Sequence, residues 1–183
     1  MPGLPDRGRR GVRQTRPHHL HSVRARLQPA RRLPHLEAAV TVVRIDLPWT
    51  SPPLSMNDRG YTHGAAMAKA AKTREIRETV IALATQAKLP RLVAHAAVQL
   101  HYQPRDNRRR DTDNLIATLK PIADALTVSR ASKRGTVPGY GLVLDDTPQW
   151  MSKPEPLIHP AVKGEGGRMW IEITYSTTGE AAS

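Results

Sequence analysis

The chain has 183 residues, enough for one domain with a real core, and 28 Lys and Arg against 16 Asp and Glu give a formal charge of +12. Such an excess predicts attraction to polyanions, above all nucleic acid. With no cysteine, disulfide scaffolds, Cys-ligated zinc and thiol nucleophiles are excluded, and no apolar run reaches the ~20 residues that span a bilayer, so a cytoplasmic protein is expected.

Residues 1–40 are an Arg-, Pro- and His-rich extension in which no helical or strand period persists. Little apolar surface is available there to offset the ordering entropy, so a disordered segment is expected. It reads either as a basic arm that tracks DNA phosphates or as a dispensable extension. The folded domain is expected over residues 41–177, with a frayed tail at 178–183.

The chain lacks phenylalanine, so the core must be built from Leu, Ile, Val, Ala and Met with a few Trp and Tyr. Val42, Val43, Ile45 and Leu47 form an apolar run ending at Pro48, a first strand. A Pro-rich loop follows, from Trp49 to Asn57. Ala65 to Leu89 is the clearest helix, with Ile76, Val80, Leu83, Ala84 and Ala87 at helical spacing and Pro90 closing it. Lys69, Lys72, Arg74 and Arg77 crowd its first half, as phosphate contacts or as a solvated face.

Leu92 to Tyr102 alternates as a strand. Asp113 to Leu126 reads as a second helix with Leu115, Ile116, Leu119, Ile122, Ala123 and Leu126 on one stripe, interrupted by Pro121. A basic loop covers Val128 to Gly141, a strand is expected over Gly141 to Asp146, and Arg168 to Tyr175 alternates as the last strand. The order strand, helix, strand, helix, strand, strand predicts an α+β fold: a small mixed β-sheet packed with two main helices.

The run from Arg105 to Asn114 carries the chemistry. Asp111 and Asp113 stand two apart, and in an extended segment such side chains face the same way. Two adjacent carboxylates are most easily ionised together around a divalent cation. The alternative is a helix start, with Asp113 or Asn114 as its N-cap. Arg108, Arg109 and Arg110 beside the pair supply a phosphate clamp, the combination that metal-assisted phosphodiester hydrolysis needs.

Asp145 and Asp146 form a second acidic pair. On a strand they point to opposite faces, so one of the two is expected to reach the metal, unless the pair is a turn before Pro148. Lys120, two helical turns past Asp113, either contacts the scissile phosphate or pairs with Asp124.

The run Arg108 to Leu115, the later Asp124-Ala125-Leu126 and Leu144-Asp145-Asp146 resemble the RusA family of Holliday junction resolvases. Leu47-Pro48-Trp49 and the loop from Pro52 to Asn57 resemble that family as well, and the likeness covers roughly Val42 to Tyr175. It implies a homodimeric, Mg²⁺-dependent endonuclease, with Mn²⁺ as a substitute, that cuts four-way or other branched DNA by paired nicks. It further implies Asp111, Asp113 and Asp146 as metal ligands, Lys120 as an active-site lysine and Arg110 as a basic residue of the site; Arg108, Arg109, Asn57, Lys69 and Lys72 are the other expected DNA contacts. Lys120 lies nearly one helical turn further from Asn114 than the family spacing, which keeps the face and changes the height. The competing expectations are a non-catalytic nucleic-acid-binding protein and an enzyme that hydrolyses small nucleotides.

Overall fold

The structure is a computed structural model that describes residues 39–56, 62–133 and 135–177. The extension through residue 38, Asn57 and the tail after residue 177 lie outside the described residues. Among the described residues, nine elements follow in chain order. They are β1 (Ala39–Leu47), α1 (His63–Gln86), β2 (Ala96–Gln103), α2 (Asp113–Leu126), β3 (Arg130–Ser132), β4 (Gly135–Val137), β5 (Met151–Ser152), β6 (Leu157–Ile158) and β7 (Arg168–Thr177). The fold is α+β, a mixed sheet with two helices.

The last strand lies in the middle of the sheet. β7 pairs antiparallel with β1 on one side and with β2 on the other. Strand alternation therefore builds cross-strand rows: Ile45, Ile171 and Leu100 stand side by side, as do Val43, Ile173 and Val98. These rows join Ile76, Val80 and Ala84 of α1 and Leu115, Leu119, Ile122 and Leu126 of α2 in one core. Burying each of these large side chains contributes roughly 1.5–3 kcal/mol, which offsets the ordering cost of the elements that carry them.

The far edge of β2 carries two short parallel strands, β5 against Ala96 and Ala97, and β6 against His101 and Tyr102. Between them runs Lys153-Pro154-Glu155-Pro156. Proline cannot donate to a ladder, so this stretch leaves the sheet edge. Gln99 Nε2 spans the gap by donating to the carbonyl of Glu155 at 3.0 Å. The excursion forms one wall of the candidate site.

Several expected elements are corrected. α1 begins at His63, where Thr62 caps the amide of Ala65, and ends at Gln86, before Pro90. Only its second half packs: Ile76, Arg77, Val80 and Ala84 are buried, whereas the turns before Lys72 are exposed. Ile116, placed on the apolar stripe of α2, is exposed instead. α2 continues through Pro121, which is buried within it.

No strand covers 141–146. The segment folds back on the C-terminus of α2, where Tyr140, Gly141 and Leu142 amides donate to the carbonyls of Ala125, Thr127 and Leu126. A helix end has free carbonyls, and this segment satisfies them. The close approach needs glycine: a Cβ on Gly139 would stand 2.2 Å from the Thr127 carbonyl oxygen, and Gly141 has φ +90°. The loop expected over 128–141 contains the β3–β4 hairpin.

Candidate functional site

α2 starts where the arginine-rich loop ends. Thr112 precedes it in helical conformation with no side-chain cap, so neither Asp113 nor Asn114 is the N-cap. The hydroxyl of Thr112 donates instead to Glu155 Oε1 at 2.6 Å, which ties the helix start to the proline-flanked excursion. The Pro-rich loop after β1 is fixed to the same helix: Leu54 exchanges backbone hydrogen bonds with the buried Thr118 hydroxyl, at 3.2 and 2.9 Å.

Helical backbone at Thr112 overturns the expectation that Asp111 and Asp113 face the same way. The chain is not extended there, and the two residues line different grooves. Asp113 lines a groove of about 520 Å³ with Lys120, Lys153 and Glu155. Asp111 lines a smaller one with Arg109, Arg110, Asn114 and Tyr102. Both carboxylates are exposed.

Asp146 is the most constrained acid. Lys120 Nζ lies 2.5 Å and Lys153 Nζ 3.2 Å from its Oδ2, and Lys153 also donates to its carbonyl. The hydrogen bond from Lys120 is the largest cause of a carboxyl pKa lowered to about 2; burial opposes it, and Lys153 adds to it. Lys120 also bonds Asp124 at 2.8 Å. Burial lowers the ammonium pKa, but the hydrogen bonds to Asp124 and Asp146 outweigh burial and raise it. Of the two alternatives for Lys120, the pairing with Asp124 is the one seen, and the residue also lines the groove.

Asp145 plays a different part. Its Oδ1 accepts from the amide of Asp146 at 2.8 Å, so it closes the turn on which Asp146 is presented. The asymmetry of the pair, expected from strand alternation, arises from this turn.

The three arginines are not equivalent. Arg110 is clamped by Asp106: its Nη2 is 2.6 Å from Asp106 Oδ1, and its Nη1 donates to the carbonyls of Asp106 and Arg108. That hydrogen bond holds the Asp106 carboxyl below the usual carboxylate range. Arg108 and Arg109 are exposed. Of the α1 residues expected to meet DNA, Lys72 pairs with Glu75 at 3.0 Å, and neither Lys69 nor Lys72 lines either groove. Arg77 is no surface cation. It is buried, and its Nη1 meets Asp124 Oδ2 at 3.4 Å.

The structure therefore brings Asp113, Lys120 and Lys153 to one groove, with Asp146 bonded to both lysines, and Arg109, Arg110 and Asp111 to another. Sequence reasoning missed Lys153, Glu155 and Asp106. The prolines on either side of Glu155 are the one local signal that this segment leaves the sheet. Among the described residues, no three His, Asp or Glu form a group able to hold a metal ion. No described helix is long and apolar enough to cross a membrane. Comparison with protein-family models and with curated proteins finds no match for this chain.

Proposed function

We propose that this chain is an endonuclease that cuts branched DNA, four-way junctions included, and acts as a homodimer with Mg²⁺. One observation carries the reading. Asp113 and Lys120 of α2 and Lys153 after β5 line one groove beside an arginine-rich loop, and both lysines bond Asp146 of the returning loop. Carboxylates next to cations, in a strongly basic chain, suit a phosphodiester substrate.

The carboxylates fit Mg²⁺ in part. The ion accepts one or two carboxylates plus water and phosphate oxygens, which Asp113 and Asp146 can supply. Asp111 and Asp113 line different grooves and Asp146 is held by Lys120 and Lys153, so no one groove is lined by all three. When bound, Mg²⁺ would lower the pKa of water and neutralise phosphate charge. The chain's own contribution is positional. Lys120 and Lys153 offset the charge of Asp146 and offer ammonium groups to a phosphate, and Arg109 lies along the next groove.

The two ammonium groups already held on Asp146 Oδ2 favour a second reading, a non-catalytic nucleic-acid-binding protein. Incubation with four-way junction, flap and linear duplex DNA, with and without Mg²⁺, separates the two. Mg²⁺-dependent nicking of branched DNA supports the nuclease. Binding with no cleavage supports the second reading, and turnover of small nucleotides alone overturns both. Paired nicks need two sites related by a two-fold axis, so light scattering at micromolar concentration is expected to give a dimer.

A further inference from the structure

Three loops meet at one end of the sheet: the loop after β1, the loop after β2 and the entry to β7. They enclose an open groove of about 550 Å³ whose lining includes Thr50, Ser51, Arg105, Arg108, Arg110 and Gly167. We propose that this groove is a separate phosphate subsite that seats the backbone of a DNA strand leaving the Asp111 groove.

The charge balance of the groove leads to this. Among the described residues, Asp106 is the one acid in its lining, against three guanidiniums. Arg110 takes most of that acid, with a 2.6 Å bond to Oδ1 and a side chain only 24% exposed. Arg105 and Arg108 stand 3.6 and 4.0 Å from Asp106 Oδ2, past hydrogen-bond contact, and their side chains are 77% and 82% exposed. Two guanidiniums thus face the groove with their donors largely unspent. Like charges held close repel, and an anion with several acceptor oxygens removes the repulsion while filling the donors. Planar guanidinium forks match the oxygens of a phosphodiester.

The groove is also closely packed at its floor. An added Cβ on Gly167 would stand 2.0 Å from the Thr50 carbonyl oxygen, so the loop after β1 and the entry to β7 are in backbone contact. On the other side, Arg110 and Tyr102 line both this groove and the one that holds Arg109 and Asp111. One strand can therefore pass from groove to groove across Arg110, placing successive phosphates in each. An open channel continuous with a second basic groove suits a polymer better than a free ion.

The proposal rests on the nucleic-acid half of the function proposed above and is independent of the metal. The test is binding of the full chain to labelled four-way junction DNA in EDTA, across a KCl titration. The variants are Arg105→Gln with Arg108→Gln, and a charge-matched control, Lys88→Gln with Arg91→Gln, at the opposite end of β2. Each lost phosphate contact flattens the log–log salt slope by about 0.9. The groove variant is expected to lose about 1.8 from the slope and to bind more weakly at low salt, while the control keeps the wild-type slope more closely. A groove variant whose slope equals that of wild type, or a control that loses as much, overturns the subsite. If wild type itself shows no salt-dependent binding, the nucleic-acid reading falls and the subsite with it. Binding with the expected slope change but no cleavage in Mg²⁺ supports the subsite and removes only the nuclease.

Discussion

Lys120 Nζ lies 2.5 Å from Asp146 Oδ2, although the two residues are 26 apart in the chain and belong to a helix and a loop. The pair makes the groove sensitive to acid. Asp146 has a pKa of about 2 when folded against an ordinary value of 3.8, so the folded state binds this proton less readily. Its stabilisation is fully present above pH 3.8 and lost as pH falls from there to about 2. The amount is on the order of 1–2 kcal/mol, allowing for the solvent that screens Lys120. Lys120→Met is expected to raise the carboxyl pKa of Asp146, read by NMR titration, and to reduce the loss of stability between pH 5 and pH 2.5. An unchanged Asp146 titration would show that the pair does not form in solution.

Asp146→Asn is expected to harm cleavage more than Asp145→Asn. The Asp146 carboxylate faces Lys120 and Lys153, whereas that of Asp145 accepts a backbone amide, a role that the Asn oxygen can also fill. Single-turnover rates on junction DNA measure this. Equal losses, or the reverse order, count against Asp146 as the functional member.

Asp113→Asn is expected to abolish cleavage and leave junction binding as tight as wild type or tighter. The exposed carboxylate lines the groove with Lys120 and Lys153, so its removal makes the groove more positive. Band-shift affinity in EDTA and nicking in Mg²⁺ give the two readouts. Nicking within tenfold of wild type would remove Asp113 from the machinery.

Arg77 and Asp124 form a buried pair between α1 and α2, at 3.4 Å. Removing either member is not equivalent. Arg77→Met leaves Asp124 still bonded to Lys120, and it removes a buried Nε that has no partner. Asp124→Ala leaves a buried guanidinium with only the carbonyls of residue 124 and Pro138. Urea unfolding is expected to give a loss of about 3 kcal/mol for Asp124→Ala and about 1 kcal/mol for Arg77→Met. The opposite ranking would mean that Arg77 serves the fold through something other than this pair.

On the sheet face away from the helices, His101 and His159 share a proton line, with Nδ1 of one 3.0 Å from Nε2 of the other, and both pack on Trp170. Burial lowers the His101 pKa; Glu172 opposes, while His159 and Arg44 add to the depression. A lowered folded pKa means that the unfolded chain binds the proton first. Stability is therefore expected to fall as pH drops below about 6.5. His101→Gln should weaken that dependence in urea unfolding between pH 7.5 and pH 5.5. A wild-type curve that is flat across this window would contradict the burial argument.

The sequence alone determined the α+β class, the two helices and the central strands. These rest on local periodicity, and Ile45, Leu47, Val98, Leu100, Ile171 and Ile173 fall inward as alternation requires. It also marked Asp111 and Asp113 by their spacing beside the arginines and one of Asp145 and Asp146; the choice of Asp146, and the active-site role expected of Lys120, came from the family likeness. Only the tertiary structure decided which of them meet. Helical backbone at Thr112, which no periodicity encodes, removes the extended geometry expected to put Asp111 and Asp113 on one face, and the two residues line different grooves. The bond between Lys120 and Asp146 depends on a loop folding back to satisfy the carbonyls at the end of α2. Lys153 and Glu155 reach the groove because two prolines push their segment off the edge of β2. Contacts of this kind join residues far apart in the chain, and their geometry follows from backbone hydrogen bonding and packing that arise only when the elements assemble.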